Sequence, residues 1–176
     1  DVVVPAVKPD DGGNGGDDGV VAVRFEAEKA TWVDSPDVAE GNEIRTEQNE
    51  AISGGEGVAY FQTAGATLTF KFNVVAAVKG GAIELGVAPA TMTSEGETSI
   101  INDLTAEGLA ACASFTLNGK PVTFTGTVAG NEEMNYWGVG EMLANVDFVA
   151  GENVFVITSN GSALNIDYID VYANVK

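Results

Sequence analysis

TLTFKFNV, residues 67–74, alternates apolar and polar side chains without a break. Successive side chains of a strand point to opposite faces, so Leu68, Phe70, Phe72 and Val74 share one face and Thr67, Thr69, Lys71 and Asn73 the other. Such a half-apolar ribbon needs another apolar layer to pack against. The chain offers several. Strands are expected at 21–28, 57–62 and 81–88. FTLNGKPVTF (115–124) holds Asn118-Gly119, the pair that suits a type I′ hairpin. DFVAGENVFVIT (147–158) sets two apolar runs around a Gly-centred turn, and NIDYIDVYANV (165–175) reads as a closing strand. Many short strands joined by turn residues predict an all-β chain, an antiparallel β-sandwich. Only SIINDLTAEGLAACA (99–113) has helical character, weakened by Gly108, so one long, part-helical loop insertion is expected.

Residues 1–20 differ from the rest. Pro, Gly and Asp dominate and no periodicity survives, which reads as a linker ahead of a single folded domain at 21–176. A linker implies tethering to other modules of the same polypeptide. The domain itself reads as a monomer. Apolar residues make up 45% of the chain, enough for a packed core despite 26 acidic and 8 basic side chains. The net charge of −18 argues strongly against nucleic acid and anionic membranes as partners, because there is no basic patch to neutralise phosphates. No apolar run approaches a membrane span. The chain has no histidine, which removes Ser-His-Asp and Cys-His catalysis and histidine metal sites. Cys112, alone in AACAS, can form neither an internal disulfide nor a thiolate zinc site, and reads as a buried, inert thiol.

Two short stretches carry chemistry. FEAEKA (25–30) places Glu26 and Glu28 two apart in the opening strand, with their carboxylates side by side. They either lie on a solvated face or share a cation, since crowded carboxylates otherwise repel each other. NYWGVG (135–140) sets Tyr136 and Trp137 in a Gly-bordered loop. These rings are either exposed or folded over the end of the sandwich. Exposed rings flanked by amides or carboxylates suit sugars, which present C–H faces and hydroxyls. Trp32 is a further ring of the same two readings.

FEAEKA, GGEGVAYF (54–61), TLTFKFNV, FTLNGKPVTF, VAGENVFVIT and LNIDYIDVY follow one another in this order. The succession resembles the carbohydrate-binding modules of families 6 and 35, jelly-roll sandwiches of the galactose-binding-domain-like type. The resemblance covers essentially everything after residue 20. It implies a non-catalytic module, usually appended to secreted or cell-surface bacterial glycoside hydrolases, that holds its partner against polysaccharide. It also implies a structural calcium ion bound by Glu26, Glu28 and Asp167 with backbone carbonyls. For the sugar it implies an aromatic near Tyr136 and Trp137, with Tyr60 from the Gly-Gly-x-Gly-x-x-Tyr segment and an asparagine before the final strand. Asn165 is the nearest match to that asparagine, and Asn160 in SNGS is a second candidate. The overall charge favours a neutral polysaccharide or oligosaccharide as partner. The chain departs from the pattern in the insertion at 91–111 and in lacking the Arg-Tyr pair often found there. Those departures keep open an alternative, a structural or adhesive sandwich of a cell-surface protein without sugar binding. An enzyme built on the carboxylate pair is the least supported reading.

Overall fold

The computed structural model describes residues 3–4, 22–95 and 98–173. The strands run in order: β1 (Val3–Val4), β2 (Val23–Glu26), β3 (Thr31–Val33), β4 (Arg45–Gln48) and β5 (Glu56–Ala59). Then come β6 (Thr67–Val74), β7 (Val78–Pro89), β8 (Met92–Glu95), β9 (Thr98–Ile101) and β10 (Leu104–Thr105). The single α-helix among the described residues, α1 (Ala106–Cys112), precedes β11 (Ala113–Leu117), β12 (Lys120–Val122) and β13 (Thr127–Val128). The chain closes with β14 (Gly140–Phe148), β15 (Gly151–Ser159) and β16 (Leu164–Tyr172).

These strands form two main sheets. One has the order β1-β6-β15-β11-β12, with β3 also against β6; the other has the order β14-β7-β16-β5-β4, with β2 also against β16. The long pairings are antiparallel, and β1 alone joins in parallel. The alternation in TLTFKFNV lands where the sequence places it: Leu68, Phe70, Phe72 and Val74 are buried and Lys71 is exposed. Their faces meet Phe155 and Ile157 of β15 and Ile83, Leu85 and Val87 of β7 in one core. Phe115 sits edge-on to Phe124 at 4.9 Å and stacks on Phe155 at 6.3 Å. Each such ring removed from water contributes roughly 1.5–3 kcal/mol. The fold is therefore an antiparallel β-sandwich. Cys112 is buried, and burial pushes its thiol pKa up, as an inert thiol requires.

The turns follow their residues. Asn118 (φ 53°) and Gly119 (φ 75°) both take the left-handed conformation of a type I′ turn between β11 and β12. Asn153, fully buried, secures the turn before β15 through Val149 N–H (3.1 Å) and the carbonyls of Val149 and Gly151 (2.9 and 3.0 Å).

The insertion differs from expectation. Only Ala106–Cys112 of the 99–113 stretch is helical, started by Thr105, whose Oγ1 accepts from Gly108 N–H at 3.1 Å. Thr98–Ile101, with two β-branched isoleucines at its end, pairs instead with Met92–Glu95 as a hairpin. Of the expected linker at 1–20, Val3–Val4 pair with Asn73–Val74, and the remainder lies outside the described residues.

One tie across the sandwich's second sheet was not foreseen. Arg24 of β2 donates two hydrogen bonds to Asp170 of β16, at 2.8 and 2.6 Å, and its guanidinium lies 3.4 Å from the Tyr168 ring centroid. Tyr168 in turn donates to Glu141 Oε1 at 3.0 Å. A forked, partly buried pair of this kind is among the stronger ion pairs. It joins the first strand of the domain to the last.

Candidate functional site

The acidic stretch does not form one strand face. β2 stops at Glu26, and Glu28 lies in a 3-10 turn spanning Ala27–Lys29, closed by Ala30 N–H on Ala27 O at 3.0 Å. The expectation of two carboxylates at strand spacing is thus corrected; a turn brings them together instead. Asp167 reaches the same place by another device. Ile166 pairs with Val87 and Tyr168 with Gly86, so Asp167 is the extra residue of a bulge in β16.

The three carboxylates gather around Ser53 and Gly54. Ser53 Oγ donates to Glu26 Oε1 at 2.7 Å, and Ser53 N–H donates to Asp167 Oδ2 at 3.1 Å. A Cβ on Gly54 would lie 3.5 Å from Glu26 Cδ and 3.6 Å from Glu28 Oε1. Three oxygens remain buried with no hydrogen-bond donor: Glu26 Oε2, Glu28 Oε2 and Asp167 Oδ1. One cation is at hand, since the exposed Lys29 Nζ stands 3.0 Å from Glu28 Oε1. It serves the other oxygen of that carboxylate. Among the described residues no three acidic side chains stand close enough together to hold a metal ion as they are placed. The donor set nonetheless fits a hard divalent cation, because orphaned carboxylate oxygens are costly in a protein interior and calcium takes oxygen ligands.

Asp167 is 1% exposed. Burial, with the charges of Glu26 and Glu28 adding to it against the Ser53 N–H bond, pushes its pKa up to about 6. The folded protein therefore keeps this proton well above the ordinary 3.8. Stability from Asp167 is fully present below that ordinary value and is lost as pH rises through about 6. In chelator, calorimetry across this window should show the melting temperature falling as pH rises, and Asp167→Asn should flatten the slope.

The second region lies at an end of the sandwich. Glu47, Ala59, Tyr60, Gln62, Ala90, Tyr136, Ala163 and Asn165 line an open groove of about 440 Å³. That volume is within the range of small-ligand sites. The structure thus brings Tyr60, Tyr136 and Asn165 together. Tyr60 has a left-handed backbone (φ 59°), uncommon for a ringed residue and a mark of a site where geometry is imposed. The Arg45 guanidinium lies 3.4 Å from the Tyr60 ring centroid and so covers one of its faces. Asn165, 7% exposed, donates from Nδ2 to Tyr136 O at 2.8 Å and fixes the aromatic loop against β16.

Two expected residues are elsewhere. Trp137 is 7% exposed and packs with Ile52 and Ala59, so the expectation of an exposed ring is corrected. Gly57 makes room for it: a Cβ there would lie 2.6 Å from Trp137 Cζ3. Asn160 is exposed, but its Nδ2 donates to Ala110 O at 3.0 Å and ties the loop after β15 to the helix. It does not line the groove. Trp32, in β3, packs half-buried against the main core. The groove also contains Glu47 and Gln62, which sequence reasoning missed. Glu47 sits in RTEQ, where no apolar alternation marks a strand.

No family model matches this sequence, and no curated protein matches it either. Solved structures do. A family 35 carbohydrate-binding module from Clostridium thermocellum aligns with a TM-score of 0.55 at 18% identity, over 88% of this chain and 99% of that one. The C-terminal family 6 module of LamC, a laminarinase from Zobellia galactanivorans, aligns at 0.53 and 16% identity, over 86% and 99%. A Podospora anserina β-(1,4)-mannanase that carries a family 35 module aligns at 0.58 and 17%, over 90% of this chain. This chain spans only 29% of the mannanase's length. The fold is thus that of the family 6 and family 35 carbohydrate-binding modules.

Proposed function

We propose that this chain, a sandwich of the kind found in family 6 and family 35 carbohydrate-binding modules, is a non-catalytic sugar-binding module with a structural calcium ion. The observation that carries the sugar reading is the end groove, where Tyr60, Tyr136 and Asn165 converge with Glu47 and Gln62. Tyr136 offers a half-exposed ring, and Glu47, Gln62 and Asn165 offer groups that can bond sugar hydroxyls. Covering ~100 Å² of a pyranose at ~25 cal/mol per Å² gives about 2.5 kcal/mol. Two or three hydrogen bonds add on the order of 1 kcal/mol each, so after the cost of association a Kd of ~0.01–1 mM is expected. Affinity of that size works through tethering, by raising the local concentration of an attached partner. A secreted or cell-surface setting, attached to glycan-active modules, follows from this role. The charge of −18 and the Glu47 carboxylate favour neutral glycans over anionic ones.

The calcium reading is carried by the three buried carboxylate oxygens that have no donor. Glu26, Glu28 and Asp167 would hold the ion, which supplies the positive charge that Lys29 gives to Glu28 alone. Its role would be to fasten the turn after β2 to the bulge of β16, beside the Arg24–Asp170 pair.

A glycan array probed with and without a calcium chelator tests both readings. Binding to at least one neutral glycan, weakened by the chelator, is the expected result. One observation favours the alternative, a structural or adhesive sandwich: the larger ring, Trp137, is packed away. That alternative expects an empty array.

A further inference from the structure

We infer that the β8–β9 hairpin is the specificity element of the end groove, with Met92 as the contact for a second sugar ring; the site then takes an oligosaccharide in preference to a lone monosaccharide. The inference rests on the sugar-binding reading of that groove.

The hairpin leaves the sandwich at the groove itself. Ala90, between β7 and β8, forms part of the groove wall, and Met92 follows two residues later. Met92 is 43% exposed, so its side chain is open to a ligand. It is not loose. The Tyr136 hydroxyl donates to Met92 Sδ at 3.2 Å, which places the thioether at the outer edge of the groove's aromatic ring. Ring and thioether thus form one apolar ledge that continues outward from the groove. Thioethers adapt to irregular apolar partners, which suits the C–H face of a sugar.

The ledge is built, not incidental. Ile101 at the end of β9 and Asn131 in the loop leading to Tyr136 exchange two backbone hydrogen bonds, at 2.8 and 3.0 Å. Gly130 N–H donates to Asp103 Oδ1 at 2.7 Å, and the loop passes so close to the Ile101 carbonyl that no side chain fits at Gly130. Asn131 Oδ1 then accepts from Asn135 N–H at 2.8 Å, one residue before the ring. The foot of the hairpin is closed by Asn102 N–H on Thr91 O at 3.0 Å. Asn165 holds the same loop from the sandwich side through Tyr136 O. The ring is therefore fixed between the sandwich and the hairpin before any ligand arrives. A preorganised contact saves the ordering cost that a loose arm would impose.

Calorimetric titration with the mono-, di- and trisaccharides of the β-(1,4)-manno, β-(1,4)-gluco and β-(1,3)-galacto series would test this. For the unaltered chain, the trisaccharide should bind roughly tenfold or more tightly than the monosaccharide, as an added ring contact predicts. Met92→Ala should lower trisaccharide affinity roughly 3–10-fold, leave monosaccharide affinity within about twofold, and not move the melting temperature. Met92→Leu, which keeps the apolar bulk, should restore most of the loss. Equal affinity for all three lengths, or a Met92→Ala trisaccharide affinity equal to the unaltered chain's, would overturn the inference while leaving the sugar reading standing. An unaltered chain that binds no glycan of any length overturns both.

Discussion

Trp137→Ala should lower the stability of the domain by about 3 kcal/mol, the lower end of the range for truncating a buried large ring. The ring fills a small apolar cluster with Ile52 and Ala59 and presses on Gly57, where only a hydrogen atom leaves space. Its backbone is also engaged: Trp137 N–H donates to Asn135 Oδ1 at 2.9 Å, and Val139 N–H donates to Trp137 O at 2.9 Å. Truncation would leave a hole beneath the loop that carries Tyr136. Sugar retention should therefore fall along with stability. Urea unfolding of both proteins measures the first effect. A loss below about 0.5 kcal/mol, the size of an ordinary surface change, would show that the ring is not packed in solution. In a Trp32→Phe background, resistance of the Trp137 fluorescence to acrylamide should agree with the unfolding result.

The second large effect concerns the acidic cluster. Adding calcium to chelated protein should stabilise it by about 2.7 kcal/mol when the free ion is at 100 times its Kd. For a domain of this size that corresponds to a rise of roughly 5–10 °C in melting temperature. Glu26→Gln and Asp167→Asn should each abolish most of the response, because each removes a charged oxygen donor. The ion needs Asp167 ionised, so the gain should grow as pH rises through about 6, opposite to the trend expected in chelator. Identical melting curves with calcium and with chelator would remove the cation from the account. Arg24 and Asp170 would then stand as the main side-chain tie between the first and last strands of the domain, beside the backbone ladder that pairs them.

Much of the fold was legible because its signals are local. The alternation in TLTFKFNV, the Asn118-Gly119 pair and the apolar closing strand each depend on a few adjacent residues. What stayed hidden depends on partners distant in sequence. RTEQ becomes a strand only because EGVA lies beside it, and MTSE and TSII, four residues each, become strands only by pairing with each other. The acidic site shows both sides of this. Glu26, Glu28 and Asp167 could be named from sequence, yet the turn at Ala27–Lys29 and the bulge at Asp167 that aim them could not. In NYWGVG the sequence offers two adjacent rings and no way to tell which points inward. Gly57, eighty residues earlier, decides it by leaving space for Trp137. Asn160 was misplaced for the same reason, since its partner, the Ala110 carbonyl, belongs to the helix.

Affinity electrophoresis through gels containing a panel of neutral polysaccharides, comparing the unaltered chain with Tyr136→Ala, tests the end groove most directly. At least one polysaccharide should retard the unaltered chain, Tyr136→Ala should run as in a sugar-free gel, and the two should melt together. No retardation on any gel, or equal retardation of both proteins, would contradict sugar binding at this groove.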